Sequence, residues 1–175
     1  MAAGDVKLAY AASSNLDVTN LHGLASSQTW VAGWESALID NTTNKYLDYL
    51  VSGKFVVEGA NNQAGEIRVY AVAMLDDSTW PDVFDGTESV ETITSTGIRD
   101  GICKLIALVP VTNTAGASYF FGPESIASAF GGRCPAKFVL FVTGNPTTTT
   151  TAGLESTGTP NQITIKGVYE NVAAA

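Results

Sequence analysis

A single histidine, His22, and two cysteines, Cys103 and Cys134, are the whole supply of imidazole and thiol in these 175 residues. A Ser-His-Asp or Cys-His mechanism would have to use His22. That residue stands among Asn20, Gly23 and Ser26, and the chain has no Gly-x-Ser-x-Gly elbow. One pair of cysteines is too few for a disulfide framework, and its spacing matches no zinc pattern, so both are expected as free thiols. The glycine-rich signatures that cradle nucleotide phosphates are missing as well. Charge is scarce: 15% of residues are charged, against about 25% in an average domain. The nine basic residues are scattered, with no two adjacent, so no stripe exists for direct nucleic-acid binding. No apolar run approaches the ~20 residues of a membrane helix. The opening Met-Ala-Ala-Gly-Asp has no charged-then-apolar leader, which predicts synthesis and folding in a cytoplasm.

What remains is an apolar, glycine-rich chain with 45% hydrophobic residues, 17 glycines and a net charge of −8. Its length fits one domain over residues 1–175, able to bury roughly 70% of its unfolded surface without a metal or disulfide. An acidic surface suits solubility or a basic protein partner.

The dominant pattern is period two, the signature of strands. From Tyr46 to Val57, one face carries Leu47, Tyr49, Val51, Gly53, Phe55 and Val57. The opposite face carries Asp48, Ser52 and Lys54 but is interrupted by Tyr46, Leu50 and Val56. Glu66 to Leu75 repeats the alternation, and the Asn61–Gly65 stretch between the two reads as a hairpin loop. Cys103–Val111 is apolar on both faces apart from Lys104, as a central strand is, and Ala136–Thr143 is similarly buried in pattern. Gln162–Tyr169 closes the set, with shorter candidates at Val6–Tyr10, Leu16–Leu21, Gly33–Ile39 and Ala117–Phe121. The expectation is an all-β, jelly-roll-like sandwich of eight or nine strands. One short helix is expected at 123–130, opened by Pro123 and stopped by Gly131-Gly132.

Two long loops stand out, at 76–100 and 145–161, and the termini are expected to be flexible. The first holds seven acidic residues and one base, Arg99. Its acids offer no pair fixed at a working separation for glycoside cleavage. Asp82-Val83-Phe84-Asp85-Gly86 could offer calcium two carboxylates, but it departs from the EF-hand spacing and reads as a tight turn. Trp80 is the tryptophan expected at the surface, while at least one of Trp30 and Trp34 is expected in the core. Trp80, Asp82, Phe84 and Asp85 are the candidate partner interface, since an exposed aromatic is a common anchor. A sugar platform on Trp80, as in a carbohydrate-binding module, is the alternative from another class. No catalytic residue, metal or cofactor is assigned.

Four segments read together carry a resemblance. They are Leu-Ala-Ser-Ser with Ala-Gly-Trp-Glu-Ser at 24–36, and Tyr-Leu-Asp-Tyr-Leu-Val-Ser-Gly-Lys-Phe at 46–55. The others are Pro-Asp-Val-Phe-Asp-Gly-Thr-Glu at 81–88 and Phe-Gly-Pro-Glu-Ser-Ile-Ala-Ser-Ala-Phe-Gly-Gly at 121–132, followed by Phe-Val-Thr at 141–143. The chain resembles small virion proteins of tailed bacteriophages, of the capsid decoration (cement) type. That resemblance implies an all-β module on the outer capsid surface, commonly a homotrimer, that bridges neighbouring subunits of the major capsid protein. A tail, adaptor or head-fibre-base component is the alternative within the same class. The tail Val172-Ala173-Ala174-Ala175 is compatible with an extended contact arm, or with a frayed end.

Overall fold

A computed structural model describes residues 6–60, 62–148 and 153–172. The expected flexible ends at 1–5 and 173–175 lie outside the described residues, as does the centre of the threonine run. Eleven strands appear, two of them two-residue pieces: β1 (Val6–Tyr10), β2 (Ser14–Asn15), β3 (Ala32–Glu35), β4 (Ile39–Asp40), β5 (Asp48–Val56), β6 (Gly65–Ala73), β7 (Ser89–Thr92), β8 (Lys104–Val111), β9 (Ser118–Ser125), β10 (Lys137–Gly144) and β11 (Gln162–Val172). Two helices, α1 (Thr96–Ile102) and α2 (Ile126–Ala129), join them.

The strands form two antiparallel sheets, β1-β11-β5-β9 and β7-β3-β10-β6-β8, with β2 added to β11 and β4 to β10. Without β7 and the two-residue strands, eight strands remain. Numbered along the chain, they lie in the orders 1-8-3-6 and 2-7-4-5. That is the double Greek key of a jelly roll, so the expected fold class is the observed one.

The inner faces meet in one core. Tyr49, Val51, Phe55 and Ile163 come from the first sheet. Trp34, Ile67, Val69, Phe138, Leu140 and Val142 come from the second. The period-two register of β5 sets this up, because its odd residues from Tyr49 to Phe55 point inward and its even ones outward. Each fully buried large apolar side chain contributes roughly 1.5–3 kcal/mol. Two strand glycines are part of the packing. Gly53 lies under the Phe121 ring, which stacks at 5.4 Å on Phe55, and Gly167 lies under the Tyr46 ring. A ring laid over a strand glycine fills the space its missing side chain leaves.

Several local expectations are corrected. The 61–65 stretch is not a hairpin loop, because β5 and β6 belong to different sheets and the connection crosses between them. The 103–111 segment is not central: β8 is an edge strand, with Leu105 and Leu108 about half exposed. Its Pro110 has no N–H to donate, which an edge tolerates. The 16–21 segment is not a strand; it ends in a 3-10 turn at Thr19–Leu21. The helix expected at 123–130 shrinks to α2, since Glu124 and Ser125 are paired with Val51 and Leu50 of β5. Ser125 Oγ then caps the helix by accepting the Ser128 N–H at 3.0 Å, and Asp48 accepts the Ala127 N–H at 2.7 Å.

Neither expected loop is structureless. The 76–100 stretch contains β7 and most of α1. Ser95 Oγ caps α1 through the Ile98 N–H at 3.2 Å. The 145–161 stretch is pinned at both ends. Thr147 bridges to Asn62, Leu154 bridges to Val57 with 2% exposure, and Asn161 Oδ1 accepts the Val56 N–H at 2.9 Å.

Replacing Gly53 with Ala drives a methyl into the Phe121 ring and the Gln162 carbonyl. Denaturant unfolding should show a loss of about 1–3 kcal/mol. Gly59→Ala, where nothing lies within 4 Å, should stay within about 0.5 kcal/mol of the parent.

Candidate functional site

The outer faces of the two sheets are treated differently. On the second sheet, Tyr70 and Val72 of β6 and Val139 and Phe141 of β10 point outward yet are buried. The segment between β6 and β8 covers them. Phe84, Ile93 and Cys103 complete this second cluster, and Trp80, Val83, Ile98 and Ile102 pack around it. Phe84 meets Phe141 edge-on, with centroids 5.5 Å apart at 88°.

The acids of this segment are its fasteners. Asp76 Oδ1 accepts the N–H groups of Ser78 and Thr79, both at 2.7 Å. These bonds hold its carboxyl below the usual carboxylate range. Asp82 accepts the Thr94 N–H at 2.8 Å and the Thr94 hydroxyl at 2.6 Å. Asp85 accepts the Thr87 N–H at 2.7 Å. Glu88 accepts the indole N–H of Trp34 and, at 2.8 Å, the backbone N–H of Asn20. Arg99 is 7% exposed, pairs with Asp100 at 2.6 Å and donates to the Thr29 carbonyl at 2.7 Å. Most of these bonds close turns or tie the segment to the rest of the molecule, so it forms a third layer.

The predicted interface residues therefore sit in one segment but do not form one surface. Phe84 is 4% exposed and faces inward. Trp80 is half-buried, with its indole against Gly86 and the second cluster, and is not the exposed platform expected. Asp82 and Asp85 are exposed, but their carboxylates are engaged within the segment. Among the described residues, no group of three or more His, Cys, Asp or Glu is placed to hold a metal. Trp34 lies in the core at 0% exposure, whereas Trp30 precedes β3 with φ at 54° and carries the Arg68 guanidinium 4.2 Å from its ring. His22 meets Asn161, Nδ1 to Nδ2, at 3.2 Å. Both cysteines are free, and burial pushes each thiol up to about 12.

Among the described residues, the first sheet has no such cover. Its outer face shows Val6, Leu8 and Tyr10 of β1 and Phe120 of β9, at 56%, 63%, 56% and 70% exposure. Between them lies a shallow depression lined by Tyr10, Leu50, Ser52, Pro123, Thr164 and Lys166. The even residues of β5 that interrupt its polar side, Leu50 and Val56, belong to this face. It carries Lys54, Lys166 and, beside Leu8, Glu170, with the Lys166 ammonium 5.7 Å from the Tyr10 ring centroid. The segment over the second sheet holds seven acids and one base, which is −6 of the chain's −8. Sequence reasoning placed the interface in the acidic segment because aromatics and acids concentrate there. The exposed apolar row of β1 was legible only as a short strand candidate.

Comparisons of the chain with models of protein families, with curated proteins and with solved structures find no match. No helix among the described residues is long and apolar enough to cross a membrane.

Truncating Phe84 to Ala removes the keystone of the third layer. It should cost about 3–5 kcal/mol in thermal or denaturant melts. A thiol reagent at mildly alkaline pH should leave Cys103 and Cys134 unmodified in the native protein, because the thiolate is the reactive form. Both should react at once in concentrated guanidinium chloride.

Proposed function

We propose that this chain is a structural virion protein. It decorates the outer surface of a tailed-phage capsid and, as a trimer, stabilises the shell by bridging major capsid subunits. The observation that carries this reading is the asymmetry of the sandwich. One sheet has the outward cluster of Tyr70, Val72, Val139 and Phe141 covered by the chain's own acidic third layer, with Leu105 and Leu108 of edge strand β8 half-exposed on that face. The other leaves Val6, Leu8, Tyr10 and Phe120 in water. Clustered exposed apolar residues on an otherwise well-packed domain mark a surface made to be covered. The four-segment sequence resemblance supplies the kind of partner. The jelly roll is compatible with it, although that architecture serves both capsid and lectin domains, so the fold alone does not choose. The sugar-binding alternative loses its support, because Trp80 packs against its own layer.

The mechanism needs no chemistry. A rigid sandwich docks by its bare face, and many copies act together, so modest contacts add through multivalency. Binding only the assembled shell stabilises that state by linkage.

Capsids with and without this protein should differ on heating and osmotic shock, the complete ones surviving longer. Equal survival would remove the cement role, and six or twelve copies per particle in place of hundreds would assign it to a vertex or tail. A Leu8→Glu, Phe120→Glu double variant should remain folded, with an unchanged melting temperature, and should lose capsid binding at least tenfold, as expected from loss of about 1.4 kcal/mol or more.

A further inference from the structure

One buried group has no counter-charge. Glu35, the last residue of β3, is 0% exposed. Its Oε1 accepts the Gly86 N–H at 2.7 Å and the Asp85 N–H at 3.2 Å, while Oε2 is buried with no hydrogen-bond partner. On one side β10 pairs with it through Phe141, and on the other β7 pairs with it through Ser89. The charges that bear on it are Asp85 from the third layer and Glu91 from β7, both acidic. Glu88 is engaged with Trp34 and Asn20, and β10 brings uncharged Phe141 and Val142. The ion pairs among the described residues, Arg68–Glu66 and Arg99–Asp100, do not include it.

We infer that Glu35 is a proton-operated latch for the 81–88 segment: as a neutral acid it keeps the Asp85-Gly86 turn seated on β3, and its ionisation opens that turn so that water reaches the carboxylate. An ionised carboxylate with one oxygen naked in a dry interior is costly. Hydrating Oε2 requires the turn above it to lift. Burial, assisted by the two neighbouring acids and opposed by the two backbone N–H bonds, pushes the carboxyl up to about 7 from its ordinary 4.5. Between those values the closed form binds more protons than a hydrated, open form does. Closure is therefore strongest at and below the lower value and weakens as pH rises to the upper one. Above that both forms are ionised and the dependence levels off. Phe84, Asp82–Thr94 and Glu88–Trp34 do not involve Glu35 and confine the opening to the turn, whose other tie, the Leu38 N–H donated to the Gly86 carbonyl at 2.9 Å, the opening must break.

Amide hydrogen exchange at Asp85 and Gly86, expressed as protection relative to the intrinsic rate at each pH, reads the opening directly. Protection at these two amides should fall by roughly ten- to a hundredfold from about pH 5 to about pH 8. The amides of β10 should keep theirs. Glu35→Gln retains an oxygen for the two N–H groups and cannot ionise, so its protection should be flat across the interval. In the unaltered protein, the Glu35 carboxyl carbon should titrate near neutrality by NMR. A carbon that titrates in the ordinary carboxylate range overturns the latch. So does constant protection in the parent protein, or a Gln variant that keeps the parent's pH slope. Should the Gln variant not fold, the carbon titration and the parent's exchange profile decide between the same outcomes.

Discussion

Both faces of β10 must be kept from water, and much of the architecture follows from that requirement. Phe138, Leu140 and Val142 point into the space between the sheets, while Val139 and Phe141 point the other way. A two-layer sandwich can shelter only the first set. The second set needs another layer, and the long connection between β6 and β8 supplies it. Phe141 is the shared element, touching Tyr70 beside it and Phe84 above it. The cost of building that layer from an acidic segment appears at Glu35, which the covering turn seals off from water.

Much of the fold was legible from periodicity because β5, β6, β10 and β11 carry their burial pattern in their composition. The same rule misplaced β8. Its Leu105 and Leu108 look like core residues, but β8 lies at an edge and presents them to solvent. Apolarity on two faces is evidence of burial only when something is available to do the burying. The third layer was hidden for the complementary reason. Helix α1 contains Gly97 and Gly101, which weaken helix propensity, and it is held by the Ser95 cap and by Ile98 and Ile102 against the second cluster. Seven acids concealed how many apolar residues the segment contributes. A count of partners would have narrowed it: Ala136–Thr143 demanded a second cover, and 76–100 was one of the two long segments left unassigned.

The candidate interface was the less legible part. Trp80 and Phe84 attracted attention as aromatics in a polar stretch, and the structure uses both within its own third layer. The bare face could not be recognised until the sheet order was known, because β1, β9 and β11 come together only through the Greek key. Charge is uneven too: the covered side holds most of the excess negative charge, and the bare one carries Lys54 and Lys166 with Glu170. Two such unlike faces give the molecule a polarity.

The pairing of β1 with β11 has a geometric consequence. Val6 and Val172 are register partners, so the first and last described strands have their outer ends at the same corner. Joining the strands at Val6 and Val172 through a short linker would let the chain be reopened at an exposed turn elsewhere. The molecule is thus topologically close to a closed loop, a convenient starting point for circular permutants.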